Sequence, residues 1–380
     1  MMCSFILLTI RGEILLYFSF VYLWILIFIG PKYKDRTRFF LVLFPFLLII
    51  FLRYGIGADY FAYQRIYEAI DPWNLFKSFE DLPKVEPMYI TINAIAIFFK
   101  LPYHLFTGLF ASGLTLLILK WLQDNSPRFE LSALLYYSIL FIYWNISALR
   151  QGLVVTVLLF VYFNKKHQFT LWQRILSVII LFFIHPTAII VPVIYVVATF
   201  RWEKVEFYVL LVLAPVLRTV VKVLINIIPH SVPYLGKLFK YLDYDSIQLI
   251  SFPSLMRFAF IVFIVHHYIR LVEKYPYYRT MFNFSLLSLI MYFYLPTAMV
   301  VGTRTTIFGY YLVIIIFPMI LDLYKSKEIY TLVLYGLMGL SLVSFYNELD
   351  KLVDRAGYKY DMHRLNTETI IQENRDHFDK

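Results

Sequence analysis

Long, almost unbroken apolar runs constrain this chain more than any other feature. Residues 175–184 and 310–321 are typical. Neither shows the period-2 alternation of a membrane β-barrel strand. The whole chain agrees with them. Of its 380 residues, 61% are apolar and only 16% charged, against about 45–50% and about 25% in soluble domains. Polar groups could not cover such a surface, which excludes a soluble enzyme and a disordered chain. In a bilayer core the backbone must bond to itself, so the runs are expected to be helices. The fold class expected is therefore all-α: a polytopic helical bundle.

Apolar segments are read at 5–29, 39–52, 88–100, 104–121, 131–145, 148–163, 171–184, 187–200, 206–228, 254–269, 281–299, 305–322 and 330–346. A membrane domain is expected over 1–346, and a polar tail over 347–380. The single cysteine, Cys3, excludes an internal disulfide and a multi-cysteine metal site. A net charge of +10 would raise nucleic acid in a soluble protein; here it calls up the positive-inside rule. Basic residues dominate 31–38, 164–174, 270–279 and 324–328, which are assigned to the cytoplasm. The long loops at about 53–87 and 229–253, and the acidic tail, then face outside. Parity holds if 88–121 crosses once, with 88–100 lying along the outer face. That gives about twelve crossings (11–13) and gathers residues 146–150, 185–186 and 302–304 beside the 53–87 loop.

Polar residues at membrane depth are costly and therefore draw attention. In 53–60 the Gly55-x-Gly57 pair permits a tight turn that would bring Arg53 and Asp59 together, as a salt-bridged cap or as part of a site. No strand precedes it and no third glycine opens a helix, so a dinucleotide site is rejected. Glu86-Pro87 stands where the chain re-enters an apolar run. Its carboxylate either caps the helix dipole or does chemistry. Arg150, in Asn-Ile-Ser-Ala-Leu-Arg-Gln (145–151), has no acid nearby in sequence. It either snorkels to lipid headgroups or grips a phosphate with its planar fork. His185, before Pro186, is a hydrogen-bonded interfacial residue or a base near neutral pH. Arg304 opens another apolar run and again lacks a local acid. Three arginines, one histidine and two acids at one membrane face fit an anionic, lipid-linked substrate. An ion channel would want rings of one charge.

The ordered series RYGIGADYFAYQRIY (53–67), VEPMYITIN (85–93), SALRQGL (147–153), FFIHPTAIIVPVIY (182–195) and GTRTTIFGYY (302–311) resembles the EpsG family of polysaccharide polymerases, relatives of the Wzy O-antigen polymerases. The resemblance runs from about 50 to 325. It departs at Met88, where the family often has glycine. It implies a bacterial inner-membrane enzyme of O-antigen, capsule or exopolysaccharide synthesis. Such an enzyme moves a growing glycan from undecaprenyl diphosphate to the sugar hydroxyl of an incoming lipid-linked repeat unit, on the outer face. It implies no cofactor, metal or nucleic acid. Partners would be the lipid-linked donor and acceptor, membrane lipids, and a flippase and chain-length regulator of the same pathway. On this resemblance Arg150 and Arg304 hold diphosphate, and Arg53 joins them or orients Asp59. His185 leads as base, with Asp59 and Glu86 as rivals. Tyr60, Tyr89 and Gln151 contact substrate. A ligase, a flippase or other transporter, and an acyltransferase using His266-His267 are the competing classes.

Overall fold

The computed structural model describes residues 2–53, 59–227, 251–295 and 299–354. The Gly55-x-Gly57 turn, nearly all of the 229–253 loop and the tail beyond 354 lie outside the described residues. The described chain is helical, with no strands. Its α-helices are α1 (Met2–Ile29), α2 (Asp35–Leu52), α3 (Tyr60–Glu68), α4 (Leu75–Asp81), α5 (Pro87–Phe98), α6 (Tyr103–Asn125), α7 (Phe129–Tyr136), α8 (Leu149–Phe163), α9 (Leu171–Phe182), α10 (Ile190–Ala198), α11 (Lys204–Ile227), α12 (Phe252–Lys274), α13 (Arg279–Tyr294), α14 (Met299–Leu321) and α15 (Lys327–Asp354).

Among the described residues five stretches are long and apolar enough to cross a membrane: Ile14–Lys32, Tyr103–Asn125, Phe129–Ser147, Ser254–Lys274 and Lys327–Leu349. Shorter apolar helices accompany them, such as Leu149–Phe163 and Leu171–Phe182. Three features differ from the sequence expectation. The 53–87 loop folds into α3 and α4. The expected 131–145 segment is α-helical only to Tyr136 and continues as a π-helix over Tyr137–Ser147. Finally, α15 runs past residue 346 into the expected tail.

The chain forms two compact units, residues 1–186 with 331–380, and residues 187–330. In the first, α2 and α6 run antiparallel and are tied at both ends. Gln123 Nε2 donates to the Asp35 carbonyl (2.9 Å), and Arg53 Nη2 donates to that of Thr107 (3.5 Å). Trp121 Nε1 donates to Phe163 O (3.1 Å), joining α6 to α8. Phe20 stacks on Phe345 with centroids 4.7 Å apart, joining α1 to α15. The basic segments 31–38 and 164–170 therefore lie at one end of this unit. Lys166 pairs there with Asp124 (2.5 Å), and Arg38 with Glu130 (2.6 Å).

Residues 53, 60, 101–107 and 146–150 gather at the opposite end. Both ends of α5 are tied there. Met88 N–H, in its first turn, donates to Phe183 O (3.2 Å). Leu101, just past its end, accepts from the Tyr67 hydroxyl. Burial raises the Tyr67 pKa, so that phenol stays a donor at neutral pH. Of the 88–121 stretch, α6 alone runs the length of the unit, at about 1.5 Å per residue.

In the second unit, α13 and α14 pack closely through small residues. A Cβ on Gly309 would stand 2.9 Å from Ser285 O. Ser285 Oγ donates to Gly309 O (3.1 Å), and Gly309 N–H donates to Ser288 Oγ (3.1 Å). At one end Lys274 pairs with Asp322 (2.7 Å), and Arg279 donates to Trp202 O (3.1 Å). His267 is buried there. Its ring nitrogens contact Phe263 O at 2.8 Å and the Tyr324 hydroxyl at 2.5 Å. His267 therefore has a structural role in this unit.

Candidate active site at one end of the first unit

Arg150 occupies the first turn of α8, immediately after the π-helix. The wide π turn carries the chain to Ala148, and Gly152 lets it pass. A Cβ at Gly152 would lie 2.3 Å from the Trp144 carbonyl oxygen, so no side chain fits there. The glycine of SALRQGL is thus needed to hold Arg150 where it is. π-Helical segments are rare and concentrate at functional sites.

The Arg150 guanidinium meets three groups. Nη1 pairs with Glu86 Oε2. Nε donates to the Tyr63 hydroxyl at 3.4 Å. The Tyr63 and Tyr89 rings lie 5.2 and 5.3 Å from Cζ, within range of a cation–π interaction. These rings touch each other at a centroid distance of 5.6 Å. Arg150 is thus not the acid-free arginine that its sequence neighbourhood predicts; the acid comes from a different helix. The pair is still reachable, with side-chain exposures of 20% for Arg150 and 22% for Glu86.

Glu86 is the N-cap residue of α5, and its side chain makes no capping bond. Its carboxylate stands at the helix N-terminus, where the dipole favours it, and its hydrogen-bonding oxygen is turned to Arg150. Pro87 takes the first helical position, as expected. Asp59 opens α3, and the Tyr63 hydroxyl reaches its Oδ2 at 3.5 Å. Carboxylate, phenol, guanidinium and carboxylate so form a chain from Asp59 through Tyr63 and Arg150 to Glu86.

His185 follows α9, half-buried, and its N–H donates to Leu181 O (2.9 Å). Two residues earlier, the Phe183 carbonyl accepts from Met88. The segments of Glu86, Arg150 and His185 thus meet at this end of the unit.

The other candidate residues have the following surroundings. Arg53 is 6% exposed and donates to Ile146 O (2.7 Å) and Thr107 O (3.5 Å). It ties α2 to α6 and to the end of the π-helix, and so positions the Arg150 segment; a substrate diphosphate has little access to it. Tyr60 is buried, stacked edge-on against Tyr103 at 5.1 Å, and its carbonyl accepts from the Tyr103 hydroxyl (2.8 Å). Gln151 is likewise buried. Tyr89 is buried as well, but one ring face meets Arg150.

Arg304 lies in the second unit, half-buried near the start of α14. The same unit holds an arginine that sequence reasoning missed. Arg257, on α12, is 5% exposed. Its Cζ stands 3.9 Å from the Tyr292 centroid and 4.9 Å from that of Tyr310. An arginine two turns into an apolar helix was its only signal, and its tyrosines come from two other helices. Among the described residues no group of three or more His, Cys, Asp or Glu side chains could hold a metal ion.

The described residues are all helical or loop and rich in apolar helices, which marks a membrane-embedded protein, and a caged arginine stands at one end of its first unit. The chain belongs to the EpsG family, whose model matches residues 36–359. That family covers Wzy-type polymerases and indicates a polysaccharide-polymerase type of function. No curated protein and no solved structure matches the chain.

Proposed function

We propose that the protein polymerises lipid-linked oligosaccharide repeat units of an O-antigen, capsule or exopolysaccharide. It transfers the growing glycan from undecaprenyl diphosphate to a sugar hydroxyl of the next lipid-linked unit, at the outer face of the bacterial inner membrane. The supporting observation is Arg150. It is held by Glu86 and two tyrosine rings yet still partly exposed, with its guanidinium preset to meet charge that develops on a departing diphosphate. Arg304 is assigned diphosphate contact on its chemistry; Arg257, buried between two tyrosine rings, is not. His185 is the leading base for the acceptor hydroxyl, with Asp59 as its rival. Glu86 is spoken for by Arg150 and acts mainly by orienting it. Tyr63 and Tyr89 are buried and brace the guanidinium with their ring faces.

The same proposal keeps about twelve crossings, with α5 along the outer face and the basic loops in the cytoplasm. It is supported by the location of segments 31–38 and 164–170 at the end opposite Arg150. No nucleotide is needed, because the diphosphate leaving group supplies the driving force.

Reconstitution with a purified lipid-linked repeat unit tests the proposal. The expected product is a ladder of longer lipid-linked glycans. Transbilayer movement without elongation would make the protein a flippase, and transfer only to lipid A–core would make it a ligase. Arg150→Ala and Arg304→Ala should each lower elongation by about 10²–10³-fold at unchanged protein level. Lysine at either position should rescue little, because it lacks the fork.

A further inference from the structure

A cavity of about 480 Å³ opens at the basic end of the first unit. That is within the roughly 300–1,000 Å³ usual for small-ligand sites. Arg36, Arg38, Lys120 and Lys166 line one part of it, and Phe39 and Phe40 another. The cations are held from behind. The Asp124 side chain, 0% exposed, accepts from Lys120 (3.0 Å) and Lys166 (2.5 Å). The Glu130 side chain, 4% exposed, takes two bonds from Arg38, at 2.6 and 2.9 Å. Asp35, the lining carboxylate, bonds Arg38 at 3.1 Å.

Asp124 and Glu130 are sunk, Asp35 is exposed at the rim, and the two lysines stand forward. Lys120 and Lys166 keep side-chain exposures of 49% and 57%. An ammonium carries three donors, so both lysines retain hydrogens for a ligand. Lys32, Lys34, Arg128 and Lys165 surround the same end, so an anion meets a strongly positive field. The apolar side continues down α2. Phe40 and Phe44, one turn apart, are 55% and 52% exposed. Cationic donors stand beside an exposed aromatic track, which matches an anionic amphiphile.

We propose that this cavity binds the phosphate-ester headgroup of an anionic glycerophospholipid, whose acyl chains follow Phe40 and Phe44. The proposal rests on the first unit alone and is independent of the polymerase function, since the cavity lies at the end away from Arg150.

Purified full-length protein is titrated with fluorescent-tailed phosphatidylglycerol or phosphatidylcholine, with inorganic phosphate as competitor. Phosphatidylglycerol should bind preferentially. Arg36→Gln and Lys166→Gln should each weaken it about fivefold, at roughly the per-charge strength of a basic residue near anionic lipid. Arg36→Lys should keep most of the affinity. Both glutamine variants should unfold at the wild-type temperature without lipid, because Lys120 still pairs with Asp124 in Lys166→Gln and Arg36 is a surface residue. Equal binding of both lipids, or wild-type affinity in both variants, would overturn the site. Displacement of the lipid by inorganic phosphate as readily as by unlabelled phosphatidylglycerol would overturn the lipid assignment in favour of a free phosphate.

Discussion

The two ends of the first unit handle charge in opposite ways. At the basic end two carboxylates are buried beneath their cations, Glu130 beneath the partly exposed Arg38 and Asp124 beneath the more exposed Lys120 and Lys166, and only Asp35 is exposed. At the other end, Arg150 and Glu86 are about equally exposed, and the guanidinium is braced by aromatic faces instead of a second acid. A buried acid with an exposed cation makes a stable surface of one sign. A half-open pair braced by rings leaves an arginine that can change partners when an anion arrives. The difference suits ion pairs that hold the fold at the basic end and, under the proposed function, a pair that serves the chemistry at the other.

The largest expected effect breaks the basic end. Arg38→Ala leaves Glu130 buried without its guanidinium, which should cost about 3–5 kcal/mol. Gly30 packs against the same carboxylate, since a Cβ there would stand 2.6 Å from Glu130 Oε1. That leaves the acid little room to turn away. Thermal unfolding and membrane-protein yield should both fall. The protein that does fold should make glycan of normal length.

Glu86→Gln makes the converse change at the other end. The amide keeps the shape and loses the charge, so Arg150 stays close but is held less tightly. Elongation should drop about tenfold, equal to about 1.4 kcal/mol, while the unfolding temperature stays near wild type. A stability loss as large as that of Arg38→Ala would make the two ends alike and refute the distinction.

Much of the fold was legible because bilayer physics acts on composition. Apolar runs became helices, and Pro87 began one. The helices hidden in the 53–87 stretch were less visible, because that stretch is polar and short-range in pattern. Tyr60, Tyr63 and Tyr67, all buried, are spaced by three and four residues, and that is the periodicity of a helix face. The π-helix left no signal of its own except Gly152. As for the site, Arg150 and Glu86 were both identifiable as residues out of place in an apolar setting. Their pairing was not, because the partners lie 64 residues apart and only the fold brings them together. The surroundings of Arg53 were hidden for the same reason: its two carbonyl partners lie far off in sequence.

The smallest effect separates the two ways in which Tyr63 holds Arg150. Its hydroxyl contacts are long, 3.4 Å to Arg150 and 3.5 Å to Asp59, and at such lengths a hydrogen bond contributes little. Its ring is 5.2 Å from the guanidinium, in a setting where a cation–π contact contributes about 0.5–2 kcal/mol. Tyr63→Phe keeps the ring and removes only the hydroxyl, so elongation should fall less than about threefold, under about 0.7 kcal/mol. Tyr63→Ala removes both and should cost about tenfold, within the cation–π range. Comparing glycan ladders from the two variants measures which contact matters. If phenylalanine proves as damaging as alanine, the hydroxyl is the operative group. Arg150 would then be held by a polar chain from Asp59 to Glu86, as the cations of the basic end are held by their acids, and the aromatic brace would no longer set the two ends apart.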